Sequence, residues 1–232
     1  NAKYLGNNEN SYLVLCKSIN NEITSNIIHD NTKLILGRAF YNCSKLISIT
    51  IPNSITSIGR SAFSECRSLE TISIPNSVTS IQDFAFTYCT SLTSIEIPNS
   101  VTSIGGYAFN GSNRLKNVYF DGTIEDWCNI KFIYDYSNPM YYAEHFYMLN
   151  EFNEYYEVTE IVIPDTVTSI DDYQFYGFDN VTSISIPNSV TSIGDSAFSG
   201  CYGLTSIEIP NSVTSIGYRA FYQCSNLTSI EI

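Results

Sequence analysis

The side chains with the greatest chemical reach in this sequence are seven cysteines, two histidines and a run of carboxylates. Cys43, Cys66, Cys89, Cys201 and Cys224 fall at one recurring position, which Ser112 and Phe178 fill in two other units. A metal ligand or a disulfide partner would not tolerate Phe, whereas a packed thiol position would. Side chains stacked in register also point in parallel at strand spacing, wider than the Cβ separation of about 3.8 Å that a disulfide prefers. The column is therefore read as packed free thiols, and zinc, which needs convergent ligands, has only His29 and His145 to draw on. Nucleophilic catalysis needs a Ser or Cys beside a base and an orienting acid. The serines here are copies of one another, His29 reads as a turn residue, and His145 reads as a surface residue. Glu151, Glu154 and Glu157 are spaced three apart, and Asp171-Asp172 stands where other units carry Gly. Nothing matches a twelve-residue calcium loop of alternating oxygens. The expectation is a chain with no catalytic site, no metal and no cofactor.

The elements that must carry these residues follow from repetition. IPNSVTSIG at 97–105 recurs at 186–194 and 209–217, and IPNSITSIG occupies 51–59. Ile51, Ile74 and Ile97 are 23 residues apart, and Ile163, Ile186, Ile209 and Ile232 keep the same interval. In LTSIEI, Ile95 and Ile97 alternate with Ser94 and Glu96, the two-residue period of a strand with one buried face. Pro98-Asn99 ends it, since Pro cannot donate to a ladder and Pro-Asn suits a tight turn. Val101 and Ile104 fit a second short extended segment. In residues 194–201, Asp195 or Ser196 can cap one short helical turn ahead of Ala197 and Phe198. No unit buries its Leu, Ile, Val and Phe alone, but units stacked in register give continuous ladders. With neighbouring strands ~4.8 Å apart, about ten rungs make a rod on the order of 45 Å long.

The pattern I-P-x-S-V-T-S-I-G-x-x-A-F-x-x-C-x-x-L, with its period of 23, resembles the BspA-like leucine-rich repeats of bacterial and protist surface proteins, from Ile28 to Ile232. The resemblance implies an α/β repeat solenoid, a right-handed superhelix with the LTSIEI strands in a parallel sheet on the concave face and helical turns elsewhere. It also implies a secreted or cell-surface protein of a kind that often serves adhesion to host matrix or to other cells.

Residues 1–232 are read as one solenoid. Residues 1–22 form an N-terminal cap in which Tyr12, Leu13, Val14 and Leu15 plug the first core layer. Regular repeats follow over 23–120, irregular ones over 121–157 and regular ones again over 158–232. The stop at Glu231 and Ile232, in mid-unit, leads us to expect a trimmed chain or an edge covered by further protein. Between Phe120 and Ile163 the interval is 43, which suggests two rungs three residues short, with helices near Ile124–Trp127 and Pro139–Phe146. Between Tyr119 and Asn180 lie thirteen acids against Lys131 alone, and ten of the eighteen tyrosines. This segment therefore carries the whole formal charge of −12, because acids and bases balance elsewhere. An acidic, Tyr-rich belt could be a binding hot spot, or irregular rungs filling gaps with large side chains.

A charge of −12 argues against nucleic-acid binding, which requires clustered Lys and Arg. No apolar run approaches the length of a membrane span. The outward column Thr50, Ser73, Glu96, Tyr119, Val162, Ser185 and Glu208 makes a flat polar surface suited to a protein or glycan partner bound by area or multivalency. Trp127, Tyr134, Tyr136, Tyr141 and Tyr142 are the candidates contributed by the acidic belt. The alternative is a structural spacer that presents another domain.

Overall fold

The computed structural model describes residues 2–18 and 20–231. Asn1 and Ile19 of the expected cap, and the terminal repeat position Ile232, lie outside the described residues.

Each regular unit contributes two strands and a turn; the short strands pair with their copies in the next unit throughout each regular block, and the long strands do so within four separate sheets among the described residues. The long strands Thr71–Ser73, Ser94–Pro98 and Asn117–Asp121 pair in parallel, Thr71 with Ser94 and Ser94 with Asn117. The short strands Ser57–Ile58, Ser80–Ile81 and Ser103–Ile104 form a second parallel sheet with the same offset of 23. Glu160–Val162 with Ser183–Ser185, and Ser169–Ile170 with Ser192–Ile193, repeat the arrangement further along. The result is a β-solenoid of parallel sheets.

Between the sheets, like residues stack. Phe40, Phe63, Phe86 and Phe109 are fully buried, with ring centroids 5.2, 5.5 and 5.6 Å apart and nearly parallel planes. Offset stacking of this kind adds about 0.5–1.5 kcal/mol per pair beyond burial. The thiol column has a specific task. Cys66 and Cys89 donate to the carbonyls of Phe40 and Phe63 at 3.2 Å, and Cys201 donates to Phe175 at 3.1 Å. Ser112 makes the same bond to Phe86 at 2.9 Å, which is why the column accepts Ser. The hydroxyls of IPNSVTSIG are equally engaged. Ser100 donates to Val78 O at 2.7 Å and Ser189 to Val167 O at 2.7 Å, while Thr102 and Thr191 reach Thr79 O and Thr168 O. Each such bond ties a rung to the one before it, for a net contribution of about 1 kcal/mol. The nine residues recur because their hydroxyls and apolar groups bond to copies of themselves.

The Ala-Phe segment departs from the expected helical turn. Arg38, Ser61, Phe84, Tyr107, Tyr173, Ser196 and Arg219 all take φ between 52° and 62°. This left-handed conformation disfavours a side chain. In five of the seven it aims the backbone N–H across to the next rung, as from Ser61 to Asp83 O at 2.9 Å and from Ser196 to Tyr218 O at 2.9 Å. A helical turn would direct those donors along one rung and forgo these bonds between rungs.

The N-terminal strands Ala2–Leu5 and Val14–Ser18 pair antiparallel, and Val14 pairs with Leu34 to cover the edge of the short-strand sheet. Of the four expected plug residues only Leu15 is fully buried. Leu13 and Val14 are half-buried, and Tyr12 is exposed and stacked on His29 at 3.8 Å.

The irregular segment holds one long rung and a hairpin rather than two short rungs. Asn117 pairs with His145, an offset of 28. The extra residues make the helix Ile124–Cys128, capped by Thr123 and Asp126, which was expected, and single 3-10 turns at Asp135–Ser137 and Pro139–Tyr141. The helix expected over Pro139–Phe146 ends after that turn, because His145–Leu149 is a strand with Phe146 and Met148 buried. The chain then reverses, and Tyr155–Glu157 pairs antiparallel with it.

Candidate functional site

The open face of the long-strand sheet collects the polar column expected from the repeats, with one addition. Glu96 pairs with Tyr119, and Tyr119 pairs with Tyr147 rather than directly with a residue of the next regular block. Thr50, Ser73, Glu96, Val162, Ser185 and Glu208 are exposed, and Tyr119 and Tyr147 are half-buried. The hairpin brings Tyr155 back over this face. Its ring meets Tyr119 edge-on at 4.9 Å, and Tyr119 stacks on Tyr147 at 4.8 Å. Beside them His145 Nδ1 lies 2.7 Å from Glu157 Oε1, and Asn180 Nδ2 lies 2.8 Å from both atoms. These contacts, His145 first, hold the Glu157 carboxyl below its ordinary range.

Where these strands turn at the Pro-Asn corners there is a groove of about 260 Å³ lined by Asn53, Ser73, Asn76, Glu96, Asp121 and Tyr155. Burial, followed by the charges of Glu96 and Asp121, pushes the Tyr155 phenol up, so it remains protonated at neutral pH. The later block has a corresponding groove of about 420 Å³ with Val162, Asp165, Ser185, Asn188 and Glu208 and no aromatic wall.

The remaining sequence candidates lie elsewhere. Trp127 is fully buried, packed against Phe120, Phe146 and Phe178, and its Nε1 donates to Gln174 O at 2.9 Å. With its one polar group paired and no accessible surface, it is a core residue and not a contact for a ligand. Tyr134, Tyr136, Tyr141 and Tyr142 do not join the sheet. Phe109 N donates to Tyr136 O, which places this segment on the turn face. There Tyr107 meets Tyr134 and Tyr136, and Tyr141 packs between Tyr136 and Tyr176. Only Tyr134 of the four is exposed, and the Tyr142 hydroxyl accepts from Gly111 N at 2.9 Å. Tyr147, Tyr155, Asp121 and Asn76 were missed. The alternation in HFYML at 145–149 was the available signal for Tyr147, and a helical reading of 139–146 hid it.

Other chemistry finds little support in this geometry. Burial pushes the Cys66 thiol strongly up and that of Cys89 up to about 12, so these sulfurs are neutral donors rather than nucleophiles. Among the described residues, no three His, Cys, Asp or Glu side chains converge as a metal site. No helix among them is long and apolar enough to cross a membrane.

Comparison with known proteins follows the same lines. No curated protein matches the chain. The leucine-rich repeat protein of T. pallidum shares the fold over 98% of this chain and 88% of its own, with a TM-score of 0.53 and 21% identity. A leucine-rich cell surface protein from Faecalibacterium prausnitzii aligns over 96% of this chain and 77% of its own, with 24% identity and a TM-score of 0.41. Six copies of the BspA type leucine rich repeat region match residues 17–137 and 149–232. The 23-residue rungs, the parallel sheets and this match together place the chain in the BspA-type leucine-rich repeat family.

Proposed function

We propose that the chain is a non-enzymatic recognition scaffold of a secreted or cell-surface protein, and that it binds a protein or glycan partner across the open face of the long-strand sheet. The observation that carries this reading is the aromatic cluster Tyr147–Tyr119–Tyr155, two half-buried rings and one exposed, on a face whose other column residues are small hydroxyls and carboxylates with Val162. Tyrosine supplies large contact area at low entropic cost, and such rings near the centre of a face are typical anchors. The hydroxyls at Thr50, Ser73 and Ser185 leave the surrounding surface flat enough for a broad partner to approach. Arginines placed in that column block approach without touching the core. The double variant Ser73→Arg/Ser185→Arg should reduce retention of chain-coated beads on host matrix or cell layers at least tenfold, with an unchanged melting temperature. Unchanged retention would leave the spacer reading in its place.

A further inference from the structure

The groove beside Tyr155 has a more definite chemistry than the sheet around it. All six of its polar lining residues, Asn53, Ser73, Asn76, Glu96, Asp121 and Tyr155, lack a side-chain hydrogen bond or ion pair among the described residues. Several carboxylates elsewhere are occupied, whereas Asp165 and Glu208 of the later groove, like Glu9 and Asp30, have no such partner among the described residues. Glu65 is held by Tyr41 and Arg67, Asp83 by Arg60 and Gly106 N, Asp171 by Lys131, and Asp195 by Tyr218 N. No Lys, Arg or His lines this groove. Two carboxylates, amide oxygens and a phenol ring thus face one opening of about 260 Å³ with no cation of their own.

We propose that this groove receives the cationic side chain, Arg or Lys, of an extended segment of the partner protein lying over the long-strand sheet. The inference rests on the sheet reading above and names what the sheet recognises. Glu96 and Asp121 supply charge-assisted acceptors, and a guanidinium also presents a flat face to the Tyr155 ring. The groove suits an organic cation better than a bare metal ion. Its two carboxylates fall short of a convergent group of three charged ligands, and an aromatic ring forms one wall of the opening. The corresponding groove of the later block keeps Glu208 and Asp165 but has no aromatic residue, so it lacks the wall that would orient a guanidinium.

The test uses the full chain and a labelled peptide of alternating Arg and Thr, followed by fluorescence anisotropy at low and moderate salt. A second peptide carries citrulline in place of Arg, which keeps the shape and removes the charge. The expected result is binding of the Arg peptide, at least tenfold weaker binding of the citrulline peptide, and a tenfold loss in Glu96→Gln/Asp121→Asn. Tyr155→Ala should lose about threefold. Glu9→Gln/Asp30→Asn removes the same number of charges from the N-terminal end and should change affinity by less than twofold. Equal binding of the two peptides, equal losses in both double variants, or calcium displacing the peptide at micromolar concentration would each overturn the proposal. If Ser73→Arg/Ser185→Arg abolishes retention on cells while the groove variants and the citrulline exchange have no effect, the sheet reading stands and the cation reading falls. If neither set has an effect, both fall.

Discussion

The regular rungs before Phe120 and the junction from Asp121 to Asn180 solve one problem in two ways. In the regular rungs, neighbours are joined by many small identical bonds: strand pairs, Ser and Thr hydroxyls on carbonyls, thiols on carbonyls, and stacked Phe rings. At the junction both sheets are interrupted. The short-strand sheet ends at Lys131–Phe132 and a separate one begins at Ser169–Ile170. Continuity there falls to a few large side chains. Trp127 Nε1 donates to Gln174 O, Gln174 Nε2 donates to Trp127 O, and Asn138 Nδ2 donates to Tyr173 O at 2.9 Å. In the regular rungs stability is distributed, whereas at the junction it is concentrated. The concentrated region is also where the hairpin lays Tyr155 over the sheet, so the break in the repeat is what creates a distinctive surface.

This contrast can be broken most directly at the two aromatic centres. Phe86→Ala and Trp127→Ala each remove a fully buried ring and should each cost about 3–5 kcal/mol by chemical denaturation. They should differ in kind, because a solenoid's stability is close to a sum over neighbouring contacts. Phe86→Ala should keep a single transition, and Trp127→Ala should split unfolding into two. A single transition in both would show that the junction is no weaker a joint than any other.

The next largest effect concerns Asp179, a half-buried residue at the end of the junction. Burial, with Glu144 adding to it, raises its carboxyl to about 7. A carboxyl raised above its unfolded value of 3.8 destabilises the fold progressively as pH rises between those two values, and fully above the higher one. Asp179→Asn should therefore stabilise the protein at pH 8, by about 1–2 kcal/mol once solvent screening is allowed for, and do nothing at pH 3. Melting temperatures at the two pH values check this.

Smaller effects test the distributed region. Cys89→Ser should change stability by less than about 1 kcal/mol, since Ser112 already makes the same bond in the next rung. Cys89→Ala removes that bond and leaves the Phe63 carbonyl with Cys66 N alone, at 3.1 Å, and should cost about 0.5–1.5 kcal/mol, so the difference between the two variants isolates the bond. The smallest effect belongs to Glu157. Its carboxyl is lowered from 4.5, so its contribution is present above that value and is lost as pH falls through the lowered one. Glu157→Gln should destabilise by under about 1 kcal/mol at pH 7 and not at all at pH 2, because the pair with His145 is partly exposed.

The regular architecture was legible because each rung's partner is a copy of itself. The alternation of Ile95 and Ile97 with Ser94 and Glu96 gave strand, face and register together. The Cys-Ser-Phe column was readable as packing because three unlike residues shared one position. The left-handed turns were not readable, because Arg, Ser, Phe and Tyr all occupy that position and none of them signals positive φ. At Arg38, Ser61, Phe84, Tyr173 and Ser196 the conformation goes with a bond to a carbonyl 22 residues away in the next rung, which the residue types do not signal. The candidate site was half legible. Glu96 and Tyr119 followed from the column, but Tyr147 and Tyr155 depend on where the chain reverses, and 121–157 has no repeat from which to read that.

By itself the sequence determined the 23-residue rung, its two strands, the buried columns and the acidic balance, since each depends on local periodicity or on stacking against an identical neighbour. Only the tertiary structure decided that Trp127 is core and not surface, that four tyrosines belong to the turn face, and that Tyr155 closes a groove over Glu96 and Asp121. Those outcomes depend on contacts between residues that are unlike and far apart in the chain, where no repeat links one to the other.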